Sequence, residues 1–70
     1  MSAVPGVINE ALKAMRSEPA RAATLLRAAL QQDPQNFDAG LLLSEALRLV
    51  GDLPGARAVI APIATANPRH

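Results

Sequence analysis

The sequence NEALK at Asn9–Lys13 returns 35 residues later as SEALR at Ser44–Arg48. Ala22 returns in the same way, 34 residues further on, as Ala56. Self-similarity with a period of about 20 to 50 residues is typical of chains built from stacked supersecondary units. Because the repeated segments place apolar residues at helical spacing, this period predicts two helical hairpins in tandem.

Composition predicts an all-α fold. Half of the 70 residues are apolar, mostly Ala and Leu, and Phe37 is the single aromatic residue. Ala and Leu are strong helix formers, whereas the residues that favour strands are scarce. The chain has no cysteine, so neither a disulfide nor a thiolate metal site is available. We therefore expect one domain over residues 1–70, stabilised by helix packing.

The charge pattern excludes two classes of partner. Seven Lys and Arg stand against six Asp and Glu, giving a formal net charge of +1. A nucleic-acid-binding protein needs a concentrated basic face, and a membrane-surface helix needs a basic stripe, and neither is present. No apolar run approaches the roughly 18 residues of a spanning helix, and the first residues lack a signal-peptide pattern. We expect a cytoplasmic protein with no nucleic-acid or membrane partner.

Apolar residues at helical spacing predict four helices, separated by residues that favour turns. Asp33–Asn36 should separate the second and third helices, because the residue before a proline is pushed out of helical geometry. Gly51 should end the third helix in the left-handed conformation. The predicted bounds are about 4–16, 19–32, 37–50 and, beginning at residue 53 or 54, up to Asn67-Pro68.

The pattern of small and large residues resembles the tetratricopeptide repeat over essentially the whole chain. The resemblance divides it into two repeats, about 3–34 and 37–70. It implies tandem helix-turn-helix units that form an antiparallel four-helix segment of a right-handed α-solenoid. The repeat positions are Ile8, Leu12, Ala22, Leu26, Ala29 and Pro34 in the first unit, and Leu43, Leu47, Ala56, Ile60, Ile63 and Pro68 in the second.

The chain departs from the family at its aromatic positions. Gly40 stands at the family's tryptophan position on the first helix of a repeat, and Leu47 stands at its tyrosine position. Ser44 replaces a glycine, and Ile63 replaces the usual alanine late in the second helix. The pattern of sizes is retained nonetheless, since a small residue such as Ala56 lets two helices approach closely.

The sequence contains no constellation of catalytic, cofactor-binding or metal-binding residues. His70 is the single histidine, and the chain has no cysteine, no tyrosine and no glycine-rich phosphate loop. The hydroxyls of Ser17, Thr24 and Ser44 have no neighbouring histidine base to activate them. We therefore predict a non-catalytic chain with no cofactor and no metal.

The candidate binding residues lie on the first helix of each hairpin, which lines the concave face in the family that the chain resembles. Glu10 and Lys13 correspond to Glu45 and Arg48, so two acid–base pairs are expected on one surface. Such a groove would recognise complementary charges on a peptide. Alternatively, these are solvated pairs that stabilise their helices by about 0.2–0.5 kcal/mol each. The predicted partner-binding residues are Glu10, Lys13, Leu41, Glu45, Arg48 and Leu49.

One known mode of recognition in this family is absent from the sequence. Some members hold the C-terminal carboxylate of a peptide in a clamp of lysine, asparagine and arginine. The corresponding positions here are Gly6, Glu10, Leu41 and Glu45, which favours a basic or apolar ligand instead. The resemblance assigns three further arginines to the solvated convex side, namely Arg21, Arg27 and Arg57.

Pro62 lies well inside the predicted fourth helix. It removes one backbone hydrogen bond and crowds the carbonyl of Ala58. We expect the helix to kink or to end early at this point. The alternative is a bend that shapes a docking face for another subunit or repeat.

Two repeats are fewer than the three or so that usually bury a continuous core. We expect a segment of a longer repeat protein, or a core completed by self-association or by a partner. The leading hypothesis is a scaffold that binds a partner protein or peptide through the concave face of the first and third helices. The alternatives are a self-assembly module that forms a homo-oligomer through apolar terminal-helix faces, and the N-terminal region of a larger enzyme, a layout typical of Ala-rich and Arg-rich bacterial members of the family.

Overall fold

Four α-helices follow one another in the computed structural model, which describes residues 4–66 and their side chains up to residue 63. The helices are α1 (Val4–Ala14), α2 (Pro19–Gln32), α3 (Phe37–Leu49) and α4 (Leu53–Ala66). Their short connections make consecutive helices antiparallel neighbours, and α1 packs on α2, α2 on α3 and α3 on α4. No strand occurs in the described range, so the predicted all-α class with two helical hairpins is confirmed. Pro68 and His70 lie outside the described residues.

Side chains that accept backbone N–H groups begin two of the helices. Asn36 caps α3, its Oδ1 accepting a hydrogen bond of 2.9 Å from the Ala39 N–H. Asp52 caps α4 in the same way, through a 3.0 Å bond from the Gly55 N–H. The start of α2 has no side-chain cap and relies on Pro19, whose missing N–H costs little at the first helical position.

The end of α3 is closed by two nested backbone hydrogen bonds. The Gly51 N–H donates to the Arg48 carbonyl at 3.0 Å, and the Asp52 N–H donates to the Leu47 carbonyl at 2.8 Å. This arrangement needs a left-handed residue between them, and Gly51 has a φ of +88°. The predicted helix end at Gly51 is therefore confirmed.

Alanine dominates the core between the helices. Leu26 is the largest side chain that is completely buried, and small residues let the helices approach closely. The buried apolar residues are Val4, Ala11, Ala14, Ala22, Ala23, Leu26, Ala29, Ala39, Leu43, Ala46, Leu47 and Ala56. Among the other repeat positions, the half-buried ones are Ile8, Ile60 and Ile63, and the exposed ones are Leu12 and Pro34.

The two hairpins are equivalent in sequence but not in packing. Leu12 is 48% exposed, whereas its equivalent Leu47 is 4% exposed. The difference is reversed two residues further along each helix, where Ala14 is 7% exposed and its equivalent Leu49 is 53% exposed. The connection before α2 has four residues and the connection before α4 has three. Helix α1 therefore need not pack on α2 with the side that corresponds to the one α3 packs on α4. The expectation that Leu12 packs inside its repeat is thus corrected.

Two predicted helix ends also differ from the structure. Helix α1 stops at Ala14 rather than Arg16, because Met15–Ser17 form a turn in which the Glu18 N–H donates to the Ala14 carbonyl at 2.7 Å. Helix α4 does not end early at Pro62 but continues to Ala66. Pro62 and Ala58 are both exposed, so water can reach the carbonyl that loses its helical donor.

Candidate functional site

Four of the predicted binding residues share the outward side of α3. Leu41, Glu45, Arg48 and Leu49 follow the spacing i, i+4, i+7 and i+8, which places them on one face of a helix. Leu41 and Glu45 are half-buried, whereas Arg48 and Leu49 are exposed. The face therefore combines charged groups with apolar surface that the chain itself leaves uncovered.

Glu45 and Arg48 pair with each other on this face. One terminal nitrogen of Arg48, Nη2, donates to both carboxylate oxygens of Glu45, at 2.7 Å and 2.5 Å. Both side chains are substantially exposed, so the pair stabilises the helix by only about 0.2–0.5 kcal/mol. Its main effect is to occupy both oxygens of the Glu45 carboxylate with a donor from the same helix.

The equivalent residues of the first hairpin behave differently. Glu10 and Lys13 are exposed, and no ion pair joins them, although both lie in the described range. They line a crevice of about 120 Å³ between α1 and α2, together with Glu18 and Arg21, which pair at 3.7 Å. Arg21 thus lines the same crevice as Glu10 and Lys13, and its side chain is exposed, as the resemblance implies. A groove shared by the acid–base pairs of both hairpins remains a prediction.

A second crevice lies between α3 and α4, with a volume of about 280 Å³; we call it the α3–α4 crevice. Glu45 and Arg48 line the crevice from α3. Ser44 lies beside them, and its hydroxyl donates to the Leu41 carbonyl at 2.7 Å. The α4 side brings Arg57 to the same crevice, and its side chain is exposed, as the resemblance implies. The crevice is lined by Ser44, Glu45, Arg48, Leu53, Ala56, Arg57 and Ile60.

Sequence reasoning missed a cavity of about 350 Å³ that lies beside the turn between α2 and α3. It is predominantly apolar and includes the single aromatic residue, Phe37, beside Leu30 and Val59. The signal that could have found it is the position of Phe37, one helical turn before Gly40, at the start of α3.

The described residues offer little for chemistry. The hydroxyls of Thr24 and Ser44 donate to backbone carbonyls of their own helices, at 3.2 Å and 2.7 Å. Between residues 4 and 66, no group of three or more His, Cys, Asp or Glu side chains is arranged to hold a metal ion. In the same range no helix has both the length and the apolar character needed to span a bilayer.

Residues 10–70 match a family model described as tetratricopeptide repeat, and the matched stretch begins within α1 and includes both hairpins. No curated protein and no solved structure matches the chain significantly.

Proposed function

Because the chain belongs to the tetratricopeptide repeat family, we propose that it is a non-catalytic scaffold that binds a partner protein or peptide through the outward faces of α1 and α3. Members of this family typically act as protein-interaction modules rather than as enzymes. The binding residues in this proposal are Glu10, Lys13, Leu41, Glu45, Arg48 and Leu49.

The observation that carries the proposal is the composition of the outward side of α3. Leu49 leaves 53% of its surface exposed one residue after Arg48, which is itself held by Glu45. An exposed apolar side chain beside an ordered charge pair is the arrangement expected of a protein-binding surface, where apolar contact gives affinity and charge gives orientation. A solvated charge pair alone would account for Glu45 and Arg48, whereas the proposal also uses the exposed leucine beside them.

Selection from a library of random peptides tests the proposal. Peptides enriched on the immobilised chain should bind Glu45→Lys and Arg48→Glu variants at least about fivefold more weakly, because each change reverses one charge of the face and replaces the ion pair with two like charges. Arg27→Glu is the matched control, since Arg27 is exposed on α2 and lines a different crevice, beside Leu43.

Circular dichroism on each variant separates lost binding from lost folding. Failure to enrich any peptide counts against the scaffold, and enriched peptides that bind all four proteins equally count against this face. The proposal requires a folded variant with impaired binding.

Self-association is the second candidate, and one observation favours it. Leu49, Val50 and Leu53 are 53%, 44% and 53% exposed, and all three lie around the turn between α3 and α4. Clustered apolar surface of this kind marks interaction sites more often than isolated exposed residues do. We infer that this cluster, which we call the turn patch, would be the contact in a homo-oligomer.

A further inference from the structure

Among the described residues, Arg57 is the charged group of the α3–α4 crevice that has no ion-pair partner. Arg48 is already bound to both oxygens of Glu45. No ion pair involves Arg57 within residues 4–66. The crevice therefore presents a free guanidinium beside the apolar surface of Leu53 and Ile60. A guanidinium binds a carboxylate through two parallel hydrogen bonds, so an acidic group is its natural ligand.

The first hairpin shows the equivalent helix surface in a covered state. Ala23 and Leu26 of α2 correspond to Arg57 and Ile60 of α4 by the 34-residue offset. Both are buried, with 6% and 0% exposure. Helix α2 packs on two helices, whereas α4 packs extensively on α3 alone among the described helices. The surface of α4 around Ile60 thus corresponds to the surface of α2 that is buried against a neighbouring helix. Arg57 stands where α2 has Ala23.

From this combination we infer that the α3–α4 crevice binds a helix of a partner protein that carries a large apolar side chain and, one turn away, an aspartate or glutamate. The apolar side chain lies against Leu53 and Ile60, and the carboxylate pairs with Arg57. Arg57 and Ile60 are three residues apart, so the two groups that they bind must also lie on one face of the partner helix. The inference rests on the proposed function and adds the chemistry of the partner.

The ion pair between Glu45 and Arg48 reverses the ligand charge that the sequence predicts, from basic to acidic. Glu45 suggested a basic ligand, but its carboxylate is occupied by Arg48, and the unpaired charge is positive. The volume of about 280 Å³ lies just below the roughly 300–1,000 Å³ of pockets that hold drug-sized ligands, which suits a single side chain.

A second copy of this chain fits the crevice less well than an acidic partner. The large exposed apolar residue of α1 is Leu12, and the helical residues one turn before it, Ile8 and Asn9, carry no carboxylate. Docking Leu12 into the crevice would therefore leave Arg57 without an acidic partner.

Four synthetic peptides test the inference as two crossed pairs. Each is an end-blocked, alanine-based helix of about 12 residues, or about three turns, with Leu or Ala at one position and Glu or Lys four residues later. Titration into the isotope-labelled chain is followed by amide chemical shifts. The Leu–Glu peptide should shift the amides of Leu53, Arg57 and Ile60, and should bind about fivefold more tightly than the Leu–Lys and Ala–Glu peptides.

Charge reversal at the site supplies the decisive comparison. Arg57→Glu should reverse the preference, so that the Leu–Lys peptide binds more tightly than the Leu–Glu peptide. Arg57→Gln should abolish the preference without reversing it, and Arg27→Glu should leave it unchanged. Both changes at position 57 affect an exposed side chain, so the fold should persist, and the amide spectrum reports this directly.

The outcomes also separate this inference from the scaffold proposal. Equal binding of all four peptides, or a preference that survives Arg57→Glu, would overturn the inference. If the library-selected peptides still depend on Glu45 and Arg48, the scaffold proposal survives that result. If a peptide changes only the amide chemical shifts of Glu10 and Lys13, the role of the crevice is likewise overturned, while binding by the chain is supported.

Discussion

The Cδ1 atom of Ile63 occupies the space that a Cβ atom at Gly40 would need. These two residues are also two of the chain's departures from the family, since Gly40 stands at a tryptophan position and Ile63 at an alanine position. The family places the large residue on the first helix and the small one on the second. Here the large residue is on the second helix and the small one on the first, so the Ile63 side chain fills part of the space beside Gly40 that a large residue on the first helix would take.

Enlarging Gly40 should destabilise the protein unless Ile63 is reduced. We expect Gly40→Leu to lower the free energy of unfolding by about 1–3 kcal/mol through overpacking. In the double variant with Ile63→Ala, the loss should be smaller than the sum of the two single losses by at least about 0.5 kcal/mol. Urea denaturation followed by circular dichroism measures all three values. Strictly additive losses would show that the two side chains do not share this space.

Two glycine-to-alanine changes should have opposite signs. Gly51→Ala should lower the free energy of unfolding by about 1 kcal/mol, because Gly51 has a φ of +88° that a residue with a Cβ adopts at a cost. Gly6→Ala should raise it by up to about 1 kcal/mol, because Gly6 lies in α1 with no atom within 4 Å of the added Cβ. Thermal melts of the two variants, run beside the parent chain, check the prediction. A loss at both positions would contradict it.

The equivalent leucines of the two repeats should differ in importance. Leu47→Ala should cost about 2–5 kcal/mol, since Leu47 is buried among the core residues. Leu12→Ala should cost no more than about 1 kcal/mol, because about half of Leu12 is exposed. Chemical denaturation gives both values. Comparable losses would mean that α1 meets α2 with the same side that α3 presents to α4.

Charging the turn patch separates stability from association. Leu49→Lys and Leu53→Lys should each change the free energy of unfolding by no more than about 0.5 kcal/mol, because both side chains are exposed. If the patch holds copies together, the same changes should reduce the molar mass found by light scattering at high concentration to that of one chain. A parent chain that is already monomeric over the whole concentration series would remove self-association as a candidate.

Most of the helix pattern could be predicted from the sequence because its signals are local. The break at Asp33–Asn36 and the stop at Gly51 depend on neighbours within a few residues, and the structure agrees with both. The side of α1 that packs could not be predicted in this way. Leu12 and Leu47 have matching sequence surroundings, but α3 lies between two helices and α1 packs on one, so their exposure differs.

The same limit explains what was missed at the candidate site. The resemblance implies a solvated Arg57 on the second helix of its repeat, and Arg57 is exposed, but the sequence does not predict that it lines a crevice together with Glu45. That relationship depends on how α4 lies across α3, which hydrophobic spacing alone does not specify. The binding role of Glu45 and Arg48 remains a prediction, whereas their pairing was expected from a separation of three residues and is present.

Asp52 takes part in both ends of one short turn, and this has a consequence for the order in which the protein opens. Its N–H closes α3 and its carboxylate begins α4, so neither helix can fray at the turn without releasing the other. The start of α2 has no comparable side-chain link. In native-state hydrogen exchange, α3 and α4 should therefore gain deuterium together, as one cooperative unit, while α1 exchanges earlier and independently.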